Sequence, residues 1–224
     1  MFETGKLKLR LQQNVCAAVV LMTASSVQAT PIISEVLYDA ASSDNGNVFV
    51  ELFGTPGTVL DGLVLEGVNG SDGSVYRTIS LSGVIGASGV FLIGDDSGDG
   101  TSFISNTDLV DDIDFQNGPD SVVLRDAGSV LDAIGYGDFT GLFFAGEGVA
   151  APDAAAGFSL ARHTPSLDTD NNFDDFIELE LPTPGSVPVS AVPLPPAAAL
   201  FLSGIVGLVG IARKRGVLQP ERMH

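Results

Sequence analysis

The sequence has few of the residues on which most chemical sites depend. It contains no tryptophan, one cysteine and two histidines among 224 residues. The cysteine, Cys16, lies in an N-terminal apolar segment, so the rest of the chain has no disulfide, thiol nucleophile or thiolate metal site. His163 is the only histidine of the central region, which excludes multi-histidine zinc sites and the H-E-x-x-H motif there. We interpret His163 as an ordinary surface residue.

Basic residues are also scarce, and most of them lie at the two ends of the chain. Of ten lysines and arginines, only Arg77, Arg125 and Arg162 fall between residues 30 and 190, against 26 acidic residues. This region therefore has a formal net charge of −23. Such a surface repels nucleic acid, because binding to a phosphate backbone depends on cationic side chains. It favours solubility and attracts cations or basic partners.

The N-terminal residues have the three-part pattern of a secretory signal peptide. A basic stretch within the first ten residues precedes an apolar run at Val15–Met22. This run is far shorter than the ~20 residues that span a bilayer. Val27 and Ala29 place small residues three and one positions before a cleavage point. We predict a signal peptide over residues 1–29 that is cut between Ala29 and Thr30.

The C-terminal residues combine a proline-rich segment, an apolar run and a basic cluster. The apolar run, Ala197–Ala212, covers ~24 Å as a helix at ~1.5 Å per residue, which spans a bilayer with local thinning. By the positive-inside rule, the basic cluster stays cytoplasmic and the rest of the chain lies outside. The proline-rich segment contains Val192, Pro193, Leu194 and Pro195, and the basic cluster is Arg213, Lys214 and Arg215. We predict a linker and sorting motif over 187–196, a transmembrane helix over 197–212 and a basic cytoplasmic tail over 213–224.

These three ordered parts, over about Val189–Arg215, resemble the PEP-CTERM sorting signal of Gram-negative bacteria. Leu194 stands where the motif of that family usually has glutamate. The resemblance implies that an exosortase-type membrane transpeptidase recognises the tail and cuts it near Pro193–Pro195. It also implies association with the cell envelope, the cell surface or an exopolysaccharide matrix, as in biofilms. An alternative is that the tail is a permanent anchor for a periplasmic binding domain.

The region between the termini has the pattern of an all-β domain. Short apolar runs alternate with clusters of glycine, asparagine, aspartate and serine, and their spacing suits a β-sandwich or barrel. No stretch has a sustained 3.6-residue apolar period. Nine strands are predicted, near Ile32–Tyr38, Val48–Phe53, Leu63–Val68, Ser74–Leu81, Gly89–Gly94, Ser121–Asp126, Val130–Tyr136, Phe158–Arg162 and Phe176–Leu179.

Several of these segments, taken in order, resemble the lamin-tail domain, an immunoglobulin-like β-sandwich. The matching segments are Ile33–Tyr38, Phe49–Phe53, Leu60–Leu65, Val84–Asp95, Asn117–Gly137 and Leu160–Gly185. Val64 or Leu65 occupies a position where that family often has tryptophan. The resemblance implies an interaction or scaffolding module and carries over no catalytic residue. We therefore predict a lamin-tail-like domain over 30–186 with a non-enzymatic, structural or adhesive function.

Two glutamates fall among the alternating apolar residues of the first two predicted strands. Glu35 and Glu51 are either exposed strand charges or partly buried acceptors for backbone or arginine donors. In both cases we interpret their role as structural.

One acidic segment has oxygen ligands at alternating positions, as calcium requires. Its members are Asp168, Asp170, Asn172 and Asp174. An EF-hand would have glycine and glutamate where this chain has Phe173 and Leu179, which excludes that motif. A looser calcium loop is one hypothesis and a solvated turn is the other. We predict no other cofactor.

The main alternative to an interaction module is a secreted, carboxylate-dependent polysaccharide hydrolase. The many acidic residues allow the paired carboxylates that glycoside hydrolysis uses. No particular pair stands out in the sequence, and there is no G-x-S-x-G motif for a serine hydrolase.

Overall fold

The computed structural model describes residues 30–186. The predicted signal peptide, sorting motif, transmembrane helix and basic tail lie outside the described residues, so these assignments stay predictions. Within residues 30–186, no helix is long and apolar enough to cross a membrane.

The described chain is almost entirely β-structure, as the alternating apolar pattern predicts. Each of the nine predicted strands overlaps an observed strand, and the all-β fold is confirmed. The elements are β1 (Ile32–Leu37), β2 (Phe49–Phe53), β3 (Leu63–Asn69), β4 (Val75–Ser80), β5 (Val90–Asp95), β6 (Leu109–Asp111), β7 (Asp120–Asp126), β8 (Ser129–Tyr136), β9 (Ser159–Arg162), α1 (Asn172–Asp175) and β10 (Phe176–Leu179).

The strands form two sheets. The larger sheet has six strands in the order β10-β9-β1-β2-β5-β6, and the smaller has four in the order β4-β3-β7-β8. Neighbouring strands are antiparallel, apart from β5 and β6, which are parallel. The first strand, β1, therefore lies inside the larger sheet, with β2 on one side and β9 on the other.

A single main core lies between the two sheets and contains side chains from both. Two of its largest members, Tyr38 and Tyr136, are stacked with ring centroids 4.0 Å apart. The third tyrosine, Tyr76, packs against the same core from β4. In a chain without tryptophan, these rings supply much of the aromatic bulk of the core, and a stacked pair contributes ~0.5–1.5 kcal/mol beyond its burial.

A bulge in β1 decides which residues of the larger sheet face away from this core. The register between β1 and β2 shifts between Ile33 and Glu35. As a result, Ile33 and Val36 both belong to the main core, although strict alternation would pair Ile33 with Glu35 on one face. Glu35 instead pairs with Glu51 of β2, whose own neighbours in sequence point into the core.

Candidate functional site

Arg162, the last residue of β9, is the centre of a buried charge network. Its side chain is fully buried, and its guanidinium lies 4.6 Å from the ring centroid of Phe176. Nε donates to the carbonyl of Ile33 at 2.8 Å, Nη2 to Asp132 Oδ1 at 2.7 Å, and Nη1 to Asp175 Oδ2 at 2.9 Å. One arginine thus contacts β1, β8, the end of α1 and β10.

This network connects the two sheets. Asp132 belongs to β8 of the smaller sheet and also accepts a hydrogen bond from the backbone amide of Ile33 in the larger one. Burial raises the pKa of Asp132 to about 6, although the charge of Arg162 acts in the opposite direction. Burial also acts to raise the pKa of Asp175, but hydrogen bonds from Thr169 and the charge of Arg162 hold it below its ordinary value.

A group of three carboxylates lies beside the arginine. One oxygen from each of Asp132, Glu147 and Asp168 lies within 4.8 Å of the other two. Asp132 is buried, Glu147 is half-buried, and Asp168 lies at the surface and is 3.4 Å from Arg162 Nη1. Burial and the charges of Asp132 and Asp168 raise the pKa of Glu147 to about 8.

These oxygens are hard ligands of the kind that calcium or magnesium binds. Arg162 already neutralises Asp132, so the group offers two further carboxylates at most. A calcium ion takes six to eight oxygen ligands. The three side chains therefore supply only part of a coordination shell.

Of the four predicted calcium ligands, only Asp168 belongs to the three-carboxylate group. Asp168 also accepts a hydrogen bond from the amide of Asp170, which has a positive φ of 56°. Asp174 accepts a hydrogen bond from the side chain of Asn171.

Asn172 is fully buried and its side-chain amide is used within the fold. Its Oδ1 accepts hydrogen bonds from the amides of Gly135 and Glu147, at 2.8 and 2.9 Å. Its Nδ2 donates to the carbonyl of Ala133 at 2.7 Å. Asn172 therefore joins α1 to β8 and to the loop that carries Glu147.

Sequence reasoning singled out neither Asp132, Glu147 nor Asp175. The one signal in the sequence that pointed to a buried charge was Arg162, which is one of three arginines in the domain and ends a predicted apolar strand. A buried arginine requires carboxylate partners. The sequence alone does not identify which of 26 acidic residues they are.

A second buried group consists of Glu35 and Glu51, which we call the glutamate pair. The two residues are opposite each other on β1 and β2 and are 2% and 1% exposed. The buried-acceptor alternative is therefore confirmed, but the donors are hydroxyls and backbone amides. A cavity of about 40 Å³ beside the pair also contacts Arg162 and is large enough for water.

The glutamate pair binds residues 182–186, which we call the exit segment. Glu35 accepts hydrogen bonds from the amide and the hydroxyl of Thr183, at 2.8 and 2.7 Å, and from Ser159 at 2.6 Å. Glu51 accepts hydrogen bonds from the amide of Gly185 and the hydroxyl of Ser34, both at 2.8 Å. Burial raises the pKa of Glu51 to about 7; hydrogen bonds from Ser34 and from the exit segment act to lower this pKa, and the charge of Glu35 acts to raise it.

The remaining charges leave the surface strongly acidic. Arg77 is paired with Asp112, and Arg125 is 2.6 Å from Glu66, so each arginine of the described chain has a carboxylate partner. His163 is exposed, and its ring nitrogens contact Thr164 and the carbonyl of Asp174. The chain matches no protein-family model, no curated protein and no solved structure.

Proposed function

We propose that the protein is an exported, non-enzymatic interaction module that an exosortase-type enzyme sorts to the cell envelope or to an exopolysaccharide matrix. One observation carries the proposal. The exit segment is bonded to the larger sheet up to Gly185. The predicted sorting motif at Val192–Pro195 begins seven positions after Gly185 in the sequence, so a cut there keeps all the residues that form these bonds. A cut at that motif would leave the fold intact.

The fold supports a lamin-tail-like, immunoglobulin-like β-sandwich. Two sheets of mainly antiparallel strands share one core, as in sandwich domains. The segments that resemble the lamin-tail domain supply β1, β2, β3, β5, β7, β8, β9 and β10. Arg162 and the glutamate pair, which are all buried, hold strands and loops in place.

The surface charge supports a role in adhesion. With three arginines, each paired, and 26 acidic residues, the domain favours basic surfaces. It would contact anionic polysaccharide through bridging cations.

The first test is the identity of the mature termini, measured by intact mass and peptide mapping after expression in a host that carries an exosortase. We expect a product that begins at Thr30 and lacks the residues beyond about Pro195. A variant with Pro193 and Pro195 replaced by alanine should keep its tail, and a host without exosortase should give the same result. Retention of Ala197 to His224 by the wild type would leave a membrane-anchored protein and remove the matrix assignment.

The hydrolase alternative is favoured by the three-carboxylate group. Its oxygens lie within 4.8 Å of one another, and retaining glycosidases place their two carboxyl groups ~5–5.5 Å apart. The enclosure of Asp132 by Arg162 speaks against a substrate reaching that carboxylate. A panel of glycan hydrolysis assays separates the two functions: turnover that Glu147→Gln abolishes would replace the interaction module with the hydrolase.

A further inference from the structure

The attachment of the exit segment depends on two carboxyl groups that are both removed from water. Of the five side-chain hydrogen bonds that the glutamate pair accepts, three come from the exit segment, two of them from Thr183 and one from Gly185. Ser34 and Ser159 supply the other two from β1 and β9. Two carboxylates at directly opposed positions in a sheet repel each other when both are ionised.

We propose that the exit segment is a latch stabilised by a proton on Glu51: it lies closed on the larger sheet while Glu51 is protonated and is released when Glu51 ionises. Glu51 is the switch, and residues 182–186 are the part that moves.

Few charged groups face Glu51 from the elements packed around it. Glu35 faces it from β1, and Arg162 faces the same cavity from β9. Arg162 already forms ion pairs with Asp132 and Asp175. Leu92, the partner of Glu51 on β5, is apolar, and the exit segment has no titratable side chain.

The direction of the pH effect follows from proton linkage. The pKa of Glu51 is about 7 with the segment closed, against an ordinary value of 4.5 once release exposes the carboxyl to water. The closed state therefore binds the proton more tightly, so it is favoured as pH falls and loses that advantage as pH rises through 7. This difference in pKa shifts the opening equilibrium by about a hundredfold between pH 5 and pH 9.

Release of the latch would change how far the sorting motif reaches from the domain, a consequence that rests on the proposed function. With Gly185 bound, Val192 lies seven positions beyond the last attachment point. These positions extend over at most ~25 Å. With the segment released back to Leu179, the end of β10, Val192 lies thirteen positions beyond the last attachment point and can reach ~45 Å.

Hydrogen exchange measured by mass spectrometry tests the latch directly. The full chain in non-ionic detergent is exchanged between pH 6 and pH 9, and the rates are corrected for base catalysis. We expect protection of the peptide that contains Thr183 and Gly185 to fall tenfold or more over this range. A peptide from β7 should keep its protection, which shows that the fold is intact.

Two variants define the outcome. Glu51→Gln cannot ionise but keeps an acceptor oxygen, so its exit segment should stay protected at every pH. Glu180→Gln removes the same charge from an exposed position nearby and should keep the pH response. Protection of the wild-type segment that does not change with pH, or a full pH response in Glu51→Gln, would overturn the proposal.

A further variant covers the case in which Glu51→Gln fails to fold. Thr183→Val removes one donor and leaves both carboxyl groups, so segment protection should drop at every pH while the midpoint stays near 7. A midpoint that disappears in this variant would also contradict the latch. The mature termini are measured separately: a latch that titrates in a protein that keeps its tail would leave the latch standing and remove the sorting proposal.

Discussion

At the scale of single residues, the few arginines of the domain form ion pairs within the fold. Arg162 holds the two sheets together through Asp132, while Arg125 pairs with Glu66 near the surface. Breaking a buried ion pair lowers the free energy of unfolding far more than breaking an exposed one. The carboxylate left behind in a buried pair has no water to solvate it, whereas an exposed carboxylate does.

Replacement of Arg162 by methionine should lower the free energy of unfolding by ~3–5 kcal/mol, because Asp132 and Asp175 would remain buried without a countercharge. The matched change Arg125→Met should lower it by ~0–1 kcal/mol, because both side chains of that pair are partly exposed. Urea denaturation followed by near-ultraviolet circular dichroism measures both, with the three tyrosines as probes. Equal losses in the two variants would show that Arg162 has no special role.

At the scale of elements, the strands were predictable and their irregularities were not. Alternating apolar residues identified nine strands, because one face of each strand packs against the core. The bulge at Ser34 was not predicted, because it does not change the alternation of apolar and polar residues in the sequence of β1. The short strand β6, Leu109–Asp111, is only half-buried and has no apolar alternation.

The site was less predictable than the strands because its contacts are long-range. Arg162 and Asp132 are 30 positions apart in sequence, and Glu35 and Thr183 are 148 apart. Residue types could indicate that Arg162 and Glu35 needed partners. The order of strands in each sheet and the packing of the two sheets and the exit segment against one another decide which partners they meet.

The junction of α1 with β8 gives a prediction at this scale. Asn172→Ala would leave the amides of Gly135 and Glu147 and the carbonyl of Ala133 without their partner. We expect a loss of ~2–4 kcal/mol in the free energy of unfolding. The adjacent change Asn171→Ala removes exposed hydrogen bonds and should cost less than ~1 kcal/mol. Thermal or urea denaturation measures the two, and a larger loss for Asn171→Ala would contradict this role of Asn172.

At the scale of the whole molecule, the charge of −23 on residues 30–190 dominates the response to ions. A specific calcium loop and a general effect of this charge predict different effects of calcium on the Tm of variants that lack Asp168 and Asp170. Because the amide of Asn172 is already used, we expect the general effect. Millimolar calcium should then raise the Tm of the wild type and of Asp168→Ala/Asp170→Ala by similar amounts.

Asp96→Ala/Asp99→Ala is the matched control, since it removes two acidic side chains from another exposed loop. Differential scanning calorimetry compares the three proteins. A calcium-dependent increase in the wild type and the control that is absent from Asp168→Ala/Asp170→Ala would establish a specific loop and contradict our expectation.

The course of the exit segment also determines how the domain would respond to mechanical force. The segment is bonded first to Glu35 on β1 and then to Glu51 on β2, so it runs across the strands. Tension on the C terminus would load these attachments one after another, Gly185 before Thr183, and would then reach the four-residue edge strand β10. Bonds loaded in sequence yield at lower force than bonds loaded together. The C-terminal end would therefore extend under load before β1, which lies inside the larger sheet, is disturbed. Its extension would relieve the tension before the core strands unfold.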